Sequence, residues 1–153
     1  MTEELLPVLS DGTDSYIYGH DEVPVEQITS AGTVTYLHHD QQGSTRLLTG
    51  STDTVTGSTT FDAYGNKTGS TGTTTTPLGF DGQYTSSDTG LIYLRARVYD
   101  PATAQFMSVD PIDAITRASY TYTSDNPIDA IDPAGLCGIN PFGSDSCVGD
   151  VAS

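Results

Sequence analysis

Two Asp-Pro motifs carry carboxylates that could do acid–base chemistry as a pair. Asp110-Pro and Asp132-Pro open the four-residue units 110–113 and 132–135, with residues 114–131 between them. Two carboxylates that share one site do not both ionise readily, so one keeps its proton for a peptide carbonyl while the ionised partner activates water. Proline and glycine favour turns that could present a peptide bond to this pair. The motifs are therefore candidates for general acid–base hydrolysis of a peptide bond.

The few cations of the chain lie near these motifs. Three of the 5 Lys and Arg residues, in a chain of formal net charge −15, are Arg95, Arg97 and Arg117. An arginine beside the pair would keep the ionised carboxylate charged. Asp-Pro is also an ordinary strand terminator, because proline has no N–H for a sheet ladder. Asp110 and Asp132 are therefore interpreted either as catalytic residues or as structural turn residues.

The composition indicates a single, mainly β domain. The chain has 153 residues with 16 glycines, 9 tyrosines, no tryptophan and only 16% charged residues, a balance typical of β proteins. The net charge of −15 disfavours binding to nucleic acid and to anionic membrane surfaces. No apolar stretch is long enough to span a bilayer, and the N-terminal residues lack the pattern of a signal peptide.

Short alternating segments separated by turn residues predict a series of strands. Aromatic residues recur about every twenty residues, which is typical of stacked repeats; they are Tyr16, Tyr36, Phe61, Phe80, Tyr99 and Tyr120. We therefore predict a mainly β fold, a curved ribbon of antiparallel β-hairpin repeats that ends in a compact segment and contains little helix.

Three local expectations accompany this fold. Residues 91–98 alternate in a way that predicts one strand covered on both faces and ended by Asp100-Pro. The Gly, Thr and Ser run 68–76 has little to bury and predicts a loop. A short helix can begin near Asp113, which could serve as its N-cap.

The sequence around the motifs resembles a known family. Gly90-Leu-x-Tyr-Leu-Arg-Ala-Arg-x-Tyr-Asp-Pro-Ala, Phe106-x-Ser-x-Asp-Pro and Asn126-Pro-x-x-x-x-Asp-Pro-Ala-Gly-Leu are similar to the core domain that ends the repeat shells of Rhs and tyrosine-aspartate (YD) repeat proteins. Upstream, residues 36–49 and 61–66 resemble YD units. The resemblance covers residues 14–136. It implies terminal YD hairpins in 1–89, an Rhs-associated core segment in 90–136 and a variable tail in 137–153.

The resemblance also implies an activity. In the family, paired Asp-Pro motifs support self-cleavage just after the leucine that follows the second motif. Carried onto this sequence, Asp110 and Asp132 would cleave the bond between Leu136 and Cys137, as a single-turnover aspartyl autoprotease without a cofactor. The chain would then be the C-terminal core of a secreted or cell-surface shell that presents and releases a C-terminal cargo, for toxin delivery and competition between cells.

Two positions depart from the family pattern. Asp113 stands where the family usually has glycine, which removes a position free to take positive φ. Gln105 stands where the family commonly has arginine, so a cation that would stabilise the ionised carboxylate is missing. The tail 137–153 is also too short for an enzyme, which indicates a truncated or degenerate cassette.

The sequence leaves other interpretations open. A non-enzymatic structural or adhesive module would pair with an upstream shell or with other copies of the chain through exposed strand edges, and stacked tyrosines could bind glycans. Cys137 and Cys147 could form a disulfide around a small loop or remain two free thiols. His20, His38, His39 and Asp40 match no common metal-site spacing, so we predict no metal site.

Overall fold

The computed structural model describes residues 7–117, 119–136 and 138–139. These residues form two antiparallel sheets and little helix, so the mainly β fold predicted from the sequence is confirmed. The strands are β1 Asp14–Tyr18, β2 Pro24–Thr29, β3 Val34–His39, β4 Thr45–Gly50, β5 Val55–Phe61, β6 Lys67–Gly72, β7 Tyr84–Thr85, β8 Ile92–Leu94, β9 Arg97–Asp100 and β10 Gln105–Phe106. The helix α1 is Asp113–Thr116, and 3-10 turns lie at His20–Glu22, Phe80–Gly82 and Thr123–Asp125.

The first sheet is a six-stranded meander in chain order, β1-β2-β3-β4-β5-β6. Short turns containing glycine or aspartate connect its neighbours, and such turns favour antiparallel hairpins. The core of this sheet consists of side chains that are at most 5% exposed: Tyr16, Leu37, Leu48 and Leu78. The first two hairpins contribute Tyr16, Leu37 and Leu48 to this core, and Leu78, which follows β6, completes it.

The second sheet is smaller and has the strand order β10-β9-β8-β7. Its core is rich in aromatic residues: Phe80, Ile92, Leu94, Tyr99, Phe106 and Tyr122. Tyr99 and Tyr122 stack with their ring centroids 4.4 Å apart, and Phe106 meets Tyr122 edge to face at 6.0 Å. This aromatic cluster supports the segment that carries the two Asp-Pro motifs.

Residues 91–98 do not form the single strand predicted from their alternation. β8 and β9 are joined by a tight turn at Arg95 and Ala96, with Arg95 at a left-handed φ of 60°. Leu94 pairs with Arg97 across this hairpin. The turn therefore brings Arg97 to the buried face, while Tyr93 and Val98 are exposed. The prediction of a strand covered on both faces is wrong.

Two other local predictions need correction. Residues 67–72 form β6, which pairs with β5, so the predicted loop over 68–76 is wrong for this part. No side chain of β6 is buried, because this strand lies at the sheet edge and is held mainly by backbone hydrogen bonds. The helix begins at Asp113, but Ile112 is the N-cap residue and no side chain caps it. In the described part of the chain, no helix has the length and hydropathy of a membrane span.

Candidate active site

The turn that contains the second motif packs directly on the β8–β9 turn. The N–H of Ala96 donates to the carbonyl of Ala134 at 3.1 Å. Gly135 has a φ of 63°, and a Cβ atom at this position would lie 2.4 Å from the carbonyl oxygen of Leu94 and 2.9 Å from the amide nitrogen of Arg97. Only glycine fits this contact, so Gly135 allows the second motif to pack against the backbone of Leu94 and Arg97.

Arg97 connects the two motifs. Its Nη2 lies 3.6 Å from Asp110 Oδ2 and 3.4 Å from Asp132 Oδ2. Its Nε donates to the carbonyl of Gly135 at 2.5 Å, and its guanidinium carbon lies 3.6 Å from the centroid of the Phe106 ring. The structure thus brings the two predicted aspartates together around one of the three predicted arginines.

The three charged side chains are almost completely buried. At most 2% of each side chain is exposed in Arg97, Asp110 and Asp132. Burial lowers the pKa of the Arg97 guanidinium, and the two carboxylates oppose this shift. One buried guanidinium thus faces two buried carboxylates and can offset the charge of one of them.

The turn that contains Asp132 has the same hydrogen bonds as two turns of the first sheet. In each turn, the aspartate carbonyl accepts the N–H of a glycine with positive φ three residues later, and Oδ1 accepts the N–H four residues later. The turns are residues 40–44, 62–66 and 132–136. The Oδ1 distances are 3.0, 2.9 and 3.0 Å. The second motif is therefore a repeat turn, and Asp132 Oδ2 is the oxygen that faces Arg97.

The turn that contains Asp110 is built differently. Asp110 Oδ1 accepts the N–H of Ile112 at 2.8 Å, and its backbone N–H donates to the carbonyl of Ser119 at 2.9 Å. Asp113 is helical, without positive φ, and its carboxylate accepts the Ser119 hydroxyl at 2.7 Å. The aspartate in place of glycine at this position therefore causes no backbone strain and has its own hydrogen-bond partner.

The other predicted supporting residues lie elsewhere. Arg95 pairs with Glu22 at 2.5 Å, whereas Asp110 and Asp132 pair with Arg97. Arg117 is exposed after the end of α1, and within the described residues it pairs with neither Asp110 nor Asp132. Gln105 is exposed on β10, next to buried Phe106, and alternation along the strand points its side chain away from the ring on which Arg97 packs.

Part of the predicted site is outside the described residues. Leu136 is described, and its N–H donates to Asp132 Oδ1 at 3.0 Å. Cys137 and Cys147, the predicted cleavage partner and disulfide candidates, lie outside the described residues. Among the residues that are described, no group of three or more His, Cys, Asp or Glu side chains is arranged to hold a metal ion.

Sequence reasoning missed a further buried carboxylate, Asp81. It lies in the turn Phe80–Gly82 between the two sheets and is 6% exposed. Its Oδ2 accepts the hydroxyl of Tyr122, and its N–H donates to the Ser44 hydroxyl at 2.9 Å. Burial raises the pKa of Asp81 to about 7. The only sequence signal was an acidic residue directly after Leu78-Gly-Phe80, where the flanking residues indicate a core.

Comparison with known proteins agrees with this fold. The family model described as the Teneurin YD-shell matches residues 9–128. The chain is 29% identical over 160 residues to the double-stranded DNA deaminase toxin A of Burkholderia cenocepacia, covering 89% of this chain and 11% of that protein. It is 30% identical over 131 residues to the tRNA3(Ser)-specific nuclease WapA of Bacillus spizizenii, covering 80% of this chain and 6% of that protein.

A similar fold occurs in a solved complex. The crystal structure of TcdB2-TccC3 superimposes with a TM-score of 0.72 at 20% sequence identity, over 80% of this chain and 7% of that one. The chain therefore spans only a small part of each of these larger proteins. Since the family model covers most of the chain, the chain belongs to the Teneurin YD-shell family.

Proposed function

We propose that the chain is the C-terminal core of a YD-shell protein that delivers a toxin, and that Asp110 and Asp132 cleave it after Leu136. The observation that carries the proposal is that one buried arginine holds both carboxylates beside the turn that ends at Leu136. The names of the relatives, a DNA deaminase toxin and a tRNA nuclease, support a cargo of this kind.

The proposed reaction is hydrolysis of the Leu136–Cys137 peptide bond. The ionised carboxylate removes a proton from water, and the water oxygen attacks the carbonyl carbon of Leu136. The protonated carboxyl donates its proton to the carbonyl oxygen. Transfer of a proton to the nitrogen of Cys137 then breaks the C–N bond and leaves a carboxylate on Leu136 and a new N-terminus on Cys137.

The geometry of the second motif supports separate tasks for the two oxygens of Asp132. Oδ1 accepts the N–H of Leu136, which orients the residue whose carbonyl would be attacked. Oδ2 faces Arg97, together with Asp110 Oδ2. Preorganised polar groups in a buried site stabilise developing charge more strongly than they would in water, because they need no reorientation during the reaction.

The wider organisation forms part of the same proposal. Residues 1–89 would be the terminal YD hairpins, 90–136 the core segment and 137–153 the short variable tail that cleavage releases. The upstream partner would be the preceding part of the repeat shell, and the working location would be outside the producing cell. Arg97 is the residue that we assign to stabilise the ionised aspartate, in place of Arg95 and Arg117.

A second candidate function is non-enzymatic assembly through strand edges. The outer strand β6 pairs only with β5 in the described sheet, and none of its side chains is buried. Such an edge can pair with a strand of another chain. An increase of molar mass with concentration in light scattering, in a chain that keeps its full length, would favour this candidate over cleavage.

The test compares three substitutions that change a carboxylate to an amide. Asp132→Asn and Asp110→Asn remove a catalytic carboxylate, whereas Asp62→Asn changes the equivalent residue of a repeat turn. Asparagine keeps the Oδ1 acceptor that each turn uses. In a time course of intact mass, we expect wild type and Asp62→Asn to lose residues 137–153 and the two motif variants to keep them. Equal cleavage in all four proteins would exclude the aspartyl mechanism.

A further inference from the structure

The buried carboxylate Asp81 joins the repeat sheet to the segment between the two Asp-Pro motifs. On the sheet side, its N–H donates to the Ser44 hydroxyl at 2.9 Å, immediately before β4. On the other side, its Oδ2 accepts the hydroxyl of Tyr122. Tyr122 lies within residues 114–131 and is completely buried. Asp81 is therefore a bridge between Ser44, 37 residues before it in sequence, and Tyr122, 41 residues after it.

Contacts lead from this bridge to the candidate active site. The Tyr122 ring stacks on Tyr99 at 4.4 Å and packs against Phe106 at 6.0 Å between centroids. Arg97 lies 3.6 Å from the centroid of the same Phe106 ring. Displacement of Tyr122 would therefore remove a packing contact of the Phe106 ring, on which the Arg97 guanidinium lies.

A second bridge anchors the same segment. The side-chain Nε2 of Gln42, in the turn between β3 and β4, donates to the carbonyl of Pro127 at 2.7 Å and to that of Ile128 at 2.9 Å. The residues that Asp81 and Gln42 contact all lie between Asp110 and Asp132 in sequence: Tyr122, Pro127 and Ile128. The segment that connects the two motifs is thus fixed to the repeat sheet at two points.

We propose that Asp81 and Tyr122 are positioning residues, which dock the segment between the motifs on the repeat sheet and so hold Asp110 and Asp132 around Arg97. The docking itself is independent of the proposed function, whereas its effect on cleavage rests on that function. The hydrogen bonds and ring contacts described for these two residues do not include Asp110, Asp132 or Leu136, so both act through Tyr99, Phe106 and Arg97.

The docking should depend on pH. Burial raises the pKa of Asp81 to about 7, hydrogen bonds from Tyr122 and Ser44 oppose this shift, and the carboxylates of Asp40 and Asp132 add to it. Tyr99 also lies near the Asp81 carboxylate, since the charge of Asp81 contributes to the raised pKa of that tyrosine. The unfolded chain has the ordinary value of 3.8. The folded protein therefore binds the proton more tightly, and stability from docking is lost as pH rises from about 4 to about 7.

The first experiment measures docking without cleavage. In an Asp110→Asn background, which keeps the motif turn, the melting temperature is followed between pH 5 and pH 8 with and without Asp81→Asn. Asparagine tolerates the left-handed φ of 51° at this position and keeps an acceptor for Tyr122. We expect the parent to lose on the order of 5 °C as pH rises, and Asp81→Asn to lose much less. An identical fall in both proteins would overturn the proposal.

The second experiment follows cleavage in chains with both motif aspartates. We expect the wild-type rate to fall as pH rises through 7, and the pH profile of Asp81→Asn to be flatter. Tyr122→Phe, which keeps the ring stack and removes the hydroxyl, should slow cleavage about tenfold or more. If wild type never cleaves but Asp81→Asn abolishes the pH-dependent melting, docking stands and the proposed function fails. If wild type cleaves and Asp81→Asn changes neither profile, the docking proposal alone fails.

Discussion

Leu136 donates its backbone N–H to Asp132 Oδ1 at 3.0 Å, the same bond that Asn66 makes to Asp62 at 2.9 Å in a repeat turn. The second oxygen distinguishes the two turns. In the repeat turn, Asp62 Oδ2 accepts the side-chain amide of Asn66 at 2.9 Å. In the second motif, Asp132 Oδ2 faces a buried arginine. In the third turn, Asp40 Oδ2 also meets an arginine, Arg46 Nε at 2.6 Å, but the two side chains are 27% and 36% exposed. The second motif is distinguished by an arginine that is buried and shared with Asp110.

Replacement of Gly135 by alanine tests the contact between the second motif and the β8–β9 turn. The new Cβ would lie 2.4 Å from the Leu94 carbonyl oxygen, so we expect a clash as well as the cost of positive φ. Gly90→Ala is the matched control, because Gly90 has a φ of 74° but no atom within 4 Å of its added Cβ. Urea unfolding should place Gly135→Ala about 1–3 kcal/mol below Gly90→Ala. Equal stabilities of the two variants would contradict the close packing of Gly135 on the Leu94 carbonyl.

Substitution of each arginine by lysine tests which cation serves the motifs. Lysine cannot reproduce the paired contacts of Arg97 with Gly135 and Asp132. We expect Arg97→Lys to lose about 1–3 kcal/mol in urea unfolding and to cleave more slowly. Arg95 pairs with Glu22 and with neither aspartate, and although its own side chain is only 8% exposed, that of Glu22 is 51% exposed. Arg95→Lys should therefore cost less stability than Arg97→Lys and leave cleavage unchanged. The reverse order of the two variants would exclude Arg97 as the residue that stabilises the ionised aspartate.

Removal of the Gln42 side chain tests the second anchor of the segment between the motifs. Gln42→Ala deletes two hydrogen bonds to backbone carbonyls, so local opening should become easier. We expect hydrogen exchange at the amides of Asn126 and Ile131 to accelerate on the order of tenfold. Gln41→Ala is the matched control, since Gln41 is exposed. Unchanged exchange in Gln42→Ala would show that this anchor contributes nothing to docking.

Alternation and turn residues were sufficient to predict β1 to β4, because each of these strands buries at least one side chain. They failed for β6, which has no buried side chain and whose pairing depends on backbone hydrogen bonds that leave no periodic pattern. They also failed at Arg95 and Ala96, where apolar and polar residues continue to alternate through a hairpin turn. Glycine and proline are recognisable turn signals in a sequence, whereas a non-glycine residue that adopts positive φ is not.

The candidate site could be predicted as a pair of carboxylates but not as a geometry. The spacing of Asp110 and Asp132, with the family resemblance, identified both residues. The choice of Arg97 among three arginines required the register of β8 and β9, since that hairpin turns Arg97 inward. Asp81 escaped prediction because a single acidic residue beside a turn is ordinarily exposed. Its burial follows from the packing of the two sheets, which local sequence does not encode.

The intact mass of the freshly purified wild-type chain tests most directly whether Asp110 and Asp132 cleave the chain after Leu136. We expect a product whose mass corresponds to residues 1–136, with Leu136 as its C-terminal residue, and a peptide that begins at Cys137. Peptide mapping of both products locates the bond. A wild-type chain that keeps residues 137–153 after prolonged incubation between pH 5 and pH 8, or one that is cut at another bond, would contradict it.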